Sequence, residues 1–199
     1  MDDLKAFGKW SVNGIKVDDP GLERYVSLKP TIVPRSGARN SRQRFYKSKT
    51  FIVERLITKI MIPGHRGKKH KITSYPFSGK ASAAYSIVRE AFEMIEQRTR
   101  ENPIKVFVKA IENAAPREEI ISIEYGGARY PKAVECAPQR RVDVSLRHMT
   151  QGAQTKSFNS KRSYAQALAE EIMNAYNLNP SSNAIAKKHE IERQADSSR

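Results

Sequence analysis

The chain has 199 residues, with 36 Lys or Arg against 21 Asp or Glu and a formal net charge of +15. Hydrophobic residues make up 39%, enough for one core of ordinary size with some segments left outside it. One cysteine, Cys136, excludes an internal disulfide, argues against a thiolate zinc site and fits a reduced cytosolic compartment.

The opening MDDLKAFGKW carries acids where a signal peptide has its basic region, and it has no apolar run. Residues 1–28 are mixed in charge and read as an irregular extension with a short helix near 22–28. Trp10 is read as a core anchor, with a stacking role as the alternative. Residues 29–49 contain Lys29, Arg35, Arg39, Arg42, Arg44, Lys47 and Lys49 and no acid. With Pro30, Pro34, Ser36 and Gly37 breaking regular structure, this is an extended basic segment with Phe45 and Tyr46 embedded in it. Alone it repels itself; along phosphates it can order.

In 51–61, Ile52, Leu56 and Ile60 recur at helical spacing, and Pro63-Gly64 stops that helix. A second basic loop follows over 62–79, with His65, Arg66, Lys68, Lys69, His70 and Lys71. The histidines have no carboxylate near them in sequence, which favours phosphate contact over a metal or catalytic pair. Residues 80–99 predict a strong helix, opened at Lys80, with Ala84, Ile87, Ala91, Met94 and Ile95 on one face. Asn102 caps the next helix, Pro103 takes its first position, and Phe107, Ala110, Ile111 and Ala114 line its face until Pro116 ends it.

EEIISIEY-GGAR-YPKAVEC is a β-hairpin signal, with Gly126-Gly127 supplying the turn. Pro131 demands an open edge or a bulge, so the ribbon at 118–136 is expected to project. It then needs support at its base or from a partner. After Pro138 the pattern predicts a helix over about 140–149 and then a polar loop. Arg140, Arg141, Arg147, Lys156, Lys161 and Arg162 face one acid there, Asp143. Helices are predicted over 161–178, through Tyr164, Leu168, Ile172, Ala175 and Tyr176, and over 183–195. The fold class is mainly α: a bundle of about six helices with a protruding two-stranded arm. Residues 1–49 are expected to be an extension and 50–199 a helical RNA-binding domain.

No P-loop, GxGxxG, GxSxG or HExxH occurs. His65, His70, His148 and His189 do not pair at ligand spacing on one predicted helix. The residues nominate no catalytic group, metal or cofactor, and no stretch approaches the roughly 18 apolar residues of a membrane span. The charge excess falls in 29–49, 62–80 and 138–162, as expected of a polyanion binder. A solubility device is the plainer alternative, although scattered acidic charge serves that purpose as well. An architectural DNA-binding protein would carry the same charge. A basic RNA-processing enzyme is a third class, but no residue set here predicts its chemistry.

Three stretches carry a resemblance. NPIKVFVKAIENAAPREEIISIEYGGARYPKAVECAPQRR spans 102–141, SGKASAAYSIVREAFEMI spans 78–95, and AIAKKHEIERQADSSR closes the chain. Together they resemble the universal small-subunit ribosomal protein family called S-seven. AFGKW near residue 10 and RFYKSKTFIVERLITKIM at 44–61 look like its archaeal and eukaryotic branch. The resemblance implies a helical protein with a protruding β-arm and no enzymatic role. It implies binding to the three-prime major (head) domain of small-subunit ribosomal RNA and support for head assembly. It also implies a cytoplasmic place in the small subunit, near messenger RNA, exit-site transfer RNA and neighbouring ribosomal proteins.

Carried onto this chain, the arm tip is Gly126, Gly127, Ala128, Arg129 and Tyr130. The RNA-facing helix opens at Arg140 and Arg141, with Arg117 before the arm. Two features depart from the bacterial pattern. Residues 62–77 are an insertion, and the first arm strand is acidic at Glu118, Glu119 and Glu124 where bacterial members carry arginines. Arg129 and Lys132 remain as basic arm contacts.

Overall fold

Apolar side chains recur at helical spacing along most of this chain, and the helices they form share one core. A computed structural model describes residues 4–37, 39–66, 69–70, 72–74 and 77–199. Among them, seven α-helices occur in the order α1 (Pro20–Glu23), α2 (Ile52–Ile60), α3 (Ala81–Thr99), α4 (Pro103–Ala114), α5 (Pro138–Ser157), α6 (Tyr164–Tyr176) and α7 (Asn183–Asp196). Two strand pairs interrupt them. A small one joins β1 (His65–Arg66) to β2 (Lys69–His70), and a long one joins β3 (Glu118–Tyr125) to β4 (Ala128–Glu135). The mainly helical class with a hairpin arm is as predicted.

Helix α6 lies at the centre, packed against α3, α4 and α5. Leu168 and Ile172 of α6, Phe107 and Ile111 of α4, and Ile52, Leu56 and Ile60 of α2 are fully buried. Each such aliphatic or aromatic side chain contributes about 1.5–3 kcal/mol of transfer free energy. Asn102 caps α4 through its side chain, accepting from the Ile104 N–H at 3.0 Å, and Pro103 takes the first turn. Trp10 is buried, stacking edge-on against Phe92 with ring centroids 5.9 Å apart. Ala6, Val12, Leu22 and Val26 join it in the same core.

The short helix expected near 22–28 lies at Pro20–Glu23, and three further details differ. The inward face of α3 runs through Ala84, Val88, Ala91, Phe92 and Ile95, while Ile87 and Met94 are only partly buried. The N-terminal segment causes this rotation: Phe7 and Trp10 cover Phe92, and Phe7 covers Tyr85. The basic segment 29–49 is not wholly extended, since it makes 3-10 turns at Arg39–Ser41 and Tyr46–Lys49. Finally, α5 continues past Met149 to Ser157.

Packing explains the longer helix. Thr150, Gly152, Ala153 and Gln154 are buried. The Thr150 hydroxyl donates back to the Leu146 carbonyl at 3.1 Å, so the polar side chains do not compete with the helix. Gly152 is required by close approach: a Cβ there would lie 2.7 Å from Asn183 Cβ and 3.0 Å from the Glu171 carboxylate. Glu171 is itself fully buried. Its Oε1 accepts from Ser182 Oγ at 2.8 Å and from the Ala184 N–H at 3.1 Å. Its Oε2 accepts from Lys156 Nζ at 2.8 Å. One carboxylate thus joins α5 and α6 to the start of α7, where the helix dipole also favours negative charge.

Replacing Glu171 with Ala strands the Lys156 ammonium and an N-terminal N–H of α7. The variant is expected to lose about 3 kcal/mol of stability, read from guanidinium unfolding midpoints.

Candidate nucleic-acid interface

The cations fall into two groups, those held by the protein's own carboxylates and those left at the surface. Arg141, in the first turns of α5, is nearly enclosed. Its Nη2 donates to Asp19 at 2.8 Å and its Nε to the Pro116 carbonyl at 3.1 Å. Burial raises the Asp19 carboxyl, but bonds from Arg141 and the Gly21 N–H, with the charges of Arg141 and Arg117, hold it below its ordinary range. Lys156 is tied to Glu171 and to the Ser181 carbonyl. Arg140 pairs with Glu119 of β3 at 2.6 Å, and Arg162 with Glu170 at 3.0 Å. Lys47 binds one oxygen of Asp143, and Arg55 of α2 binds the other at 3.1 Å.

Of the other predicted residues, Arg42, Arg44, Lys49, Arg117, Arg147 and Lys161 are exposed. None of these six makes an ion pair among the described residues. Arg35 and Lys80 are also exposed. Arg39, Arg66 and Lys69 are placed by their backbone, the last two in the β1–β2 pair, and Lys68 and Lys71 lie outside the described residues. Arg42, Arg44 and Lys49 thus share one short surface segment. Within it Phe45 is exposed and has a positive φ of 58°, a left-handed conformation that costs a non-glycine residue roughly 1–2 kcal/mol. Lys47, bound to Asp143, fastens this segment to α5.

The arm is built as the hairpin signal requires. Gly126 and Gly127 both have positive φ, 58° and 81°, which a two-residue turn of this hand demands. The register runs without a bulge from Glu118↔Glu135 to Tyr125↔Ala128, with Pro131 opposite Ser122. Each strand of a two-stranded ribbon has an open edge, which accommodates the missing N–H of proline. The base is half-buried and the outer part exposed. At the base, α7 packs on both strands, Arg199 pairs with Glu118 at 2.6 Å, and the Arg117 N–H donates to Glu192. Glu118 and Glu119 therefore serve as anchors that fasten the arm to α7 and α5. Toward the tip, Ile121, Ile123, Tyr125 and Tyr130 share one exposed face, while Arg129 pairs with Glu124 across the other.

Sequence reasoning passed over Arg55 and Lys59. They stand one helical turn apart on a helix whose remaining residues are apolar except Glu54 and Thr58, and that spacing was the available signal. Among the described residues, no group of three or more His, Cys, Asp or Glu could hold a metal. Burial, and behind it the Glu119 charge, push the Cys136 thiol up to about 11, so it stays protonated near neutral pH.

Such an arrangement, a rigid helical body with basic segments and an arm, is that of a protein suited to a large folded polyanion. The family model described as ribosomal protein S7p/S5e matches residues 22–199. The chain is 56% identical over 196 residues to small ribosomal subunit protein uS7 of Nanoarchaeum equitans, covering 98% of this chain and 99% of that protein. It is 47% identical over 198 residues to the protein of the same name from Archaeoglobus fulgidus, covering 100% of this chain and 96% of that one. The chain belongs to the ribosomal protein S7p/S5e family, and its archaeal relatives agree with the branch read from the front of the sequence.

The Asp143 cluster has a definite pH signature. Burial raises the Asp143 carboxyl, but the bond from Lys47, the charges of Arg55 and Lys47 and the bond from Arg55 outweigh it and hold the group below its ordinary value of 3.8. The folded state therefore binds that proton less tightly than the unfolded chain. The stabilisation is complete above the ordinary value and drains away as pH falls through it toward the folded value. Asp143→Asn should cost about 2 kcal/mol at neutral pH. It should also flatten the acid limb of melting temperature against pH.

Proposed function

We propose that this protein is a structural constituent of the small ribosomal subunit. It binds the three-prime major (head) domain of small-subunit ribosomal RNA, supports head assembly and has no catalytic role. Its place is then cytoplasmic, within the subunit; among the described residues no helix is long and apolar enough to cross a membrane. The observation that carries the reading is the exposed trio Arg42, Arg44 and Lys49, which makes no ion pair among the described residues and is fastened to the body through Lys47. Cations so placed meet phosphates along a backbone, and arginine adds forked donors and stacking. Exposed Phe45 beside them offers a ring for an unpaired base, the usual way single-stranded RNA is held. Arg117, Arg147 and Lys161 extend the contact over the body.

The arm serves a separate role, close to messenger RNA and exit-site transfer RNA. Its outer face is aromatic and aliphatic apart from Lys132, opposite Ile121, and its Arg129 is opposed by Glu124. Stacking and packing therefore suit it better than phosphate clamping. Ile32 and Val33, exposed in the basic segment, offer apolar surface to a neighbouring ribosomal protein.

Binding to a small-subunit ribosomal RNA transcript across a salt series tests this reading. Affinity should fall steeply with salt, roughly one unit of log–log slope per phosphate contacted, and duplex DNA should compete poorly. Deleting 122–133 should leave folding and that slope intact while disturbing exit-site transfer RNA occupancy. A flat slope, or preference for duplex DNA, refutes the reading.

A further inference from the structure

The outer half of the arm has an open edge that nothing among the described residues closes. A two-residue turn makes its flanking pair, Tyr125↔Ala128, a hydrogen-bonded one, and bonded pairs recur at every second position, Ile123↔Tyr130 and Ile121↔Lys132. Between them, Glu124↔Arg129 and Ser122↔Pro131 turn their backbone groups away from the ribbon. Pro131 agrees with this phase, because its missing N–H then costs no bond of the ladder.

The two edges therefore differ. On the β4 side Pro131 removes a donor, one of the ways natural sheets blunt an edge. On the β3 side Ser122 and Glu124 each present an N–H and a C=O outward. Both residues are exposed, and among the described residues no hydrogen bond from outside the ribbon reaches these groups. The half-buried part of β3 ends at Ile120. From 120 to 125 the strand has no proline, no bulge and one charge, Glu124. Ile121 and Ile123 stand exposed on one of its faces. The bond from Arg129 to Glu124 is loose, 3.6 Å between two exposed groups.

We propose that the outer edge of β3 accepts an extended basic segment of a partner protein as a third strand. The backbone of Ser122 and Glu124 supplies the main-chain bonds. Apolar side chains of the added strand lie flush with Ile121 and Ile123, and its polar ones alternate beside Ser122 and Glu124. Charge selects the partner. Residues 118–135 hold four glutamates against Arg129 and Lys132, in a chain of net charge +15. A second copy would set the same acidic strand against this one, and an RNA backbone would set phosphates beside Glu124. A basic strand meets neither penalty. The gain lies in the arm itself: a two-stranded ribbon is marginal, and three strands with an apolar face are not. The contact goes beyond the RNA-binding reading and does not depend on it.

The test reads amide hydrogen exchange by NMR at residues 121–125 of the full chain. The probes are an octapeptide of alternating Lys and Val, one of alternating Glu and Val, and a single-stranded RNA oligonucleotide. Reading single amides sets aside binding elsewhere on the basic surface. In the free protein the Ser122 and Glu124 N–H groups should exchange faster than those of Ile121 and Ile123. The Lys–Val peptide should slow them about tenfold, and the Glu–Val peptide at equal concentration should not. Ser122→Pro removes an outward donor and no ladder bond, and should weaken Lys–Val binding about tenfold. Glu124→Arg should exchange the preference between the two peptides, which keeps the test decisive if proline disturbs the arm. Outward amides that stay fast with the Lys–Val peptide, or that respond equally to both peptides, would overturn the proposal. Protection by the oligonucleotide in place of the peptide would overturn it too, as would protection in the free protein that grows with its concentration, the mark of a second copy. None of these outcomes bears on the salt slope of ribosomal RNA binding, so the broader reading is tested separately.

Discussion

A chain with fifteen excess positive charges has to fold against its own repulsion, and that constraint orders the rest of the structure. Its carboxylates are placed where they do most against it. Asp19 takes Arg141, Asp143 takes Arg55 and Lys47, Glu171 takes Lys156, and Glu119 takes Arg140. Each of these pairs joins two different segments of the chain, so neutralising a cation also locks the fold. Partly buried pairs of this kind act more strongly than surface pairs, because water screens them less. Arg42, Arg44, Lys49, Arg117, Arg147 and Lys161, without such partners among the described residues, lie at the surface, where a polyanion can reach them.

The same logic separates the arm from the body. A two-stranded ribbon is marginal by itself, and its half-buried base is fastened by Arg199, Arg140 and the packing of α7. The acids of β3 that depart from a uniformly basic arm are in part its fasteners. Glu118 and Glu119 hold the base, while Glu124 offsets Arg129 near the tip. What the arm presents outward is then mostly shape and apolar surface. It is the least basic of the projecting features.

Much of this was legible from residues alone. The apolar spacing of Ile52, Leu56 and Ile60, the Asn102-Pro103 start and the Gly126-Gly127 turn each have one economical local solution, and the protein adopts it. The resemblance of 102–141 to a known family added what periodicity cannot supply. The reading failed where distant packing overrode local signals. Gly152 and its polar neighbours looked like a loop, yet the close approach of Asn183 and Glu171 makes the glycine a packing residue inside α5. Val88 and Phe92 displaced Ile87 and Met94 from the core because the N-terminal aromatics cover that side of α3. Among the basic residues, charge alone could not tell Arg141 or Lys156, both tied to carboxylates, from Arg42 or Arg147. That distinction depends on which carboxylates the fold brings alongside.

Paired cations thus hold the fold, and unpaired ones are left for RNA. Two variants of the full chain separate them: Arg42, Arg44 and Lys49 all changed to Gln, and Arg141 and Lys156 changed to Gln. Both are measured for melting temperature and for the salt slope of ribosomal RNA binding. The first should lose about three units of slope at an unchanged melting temperature. The second should melt several degrees lower and keep the parental slope wherever it remains folded. The opposite pattern, with slope lost in the second variant and retained in the first, would contradict the account.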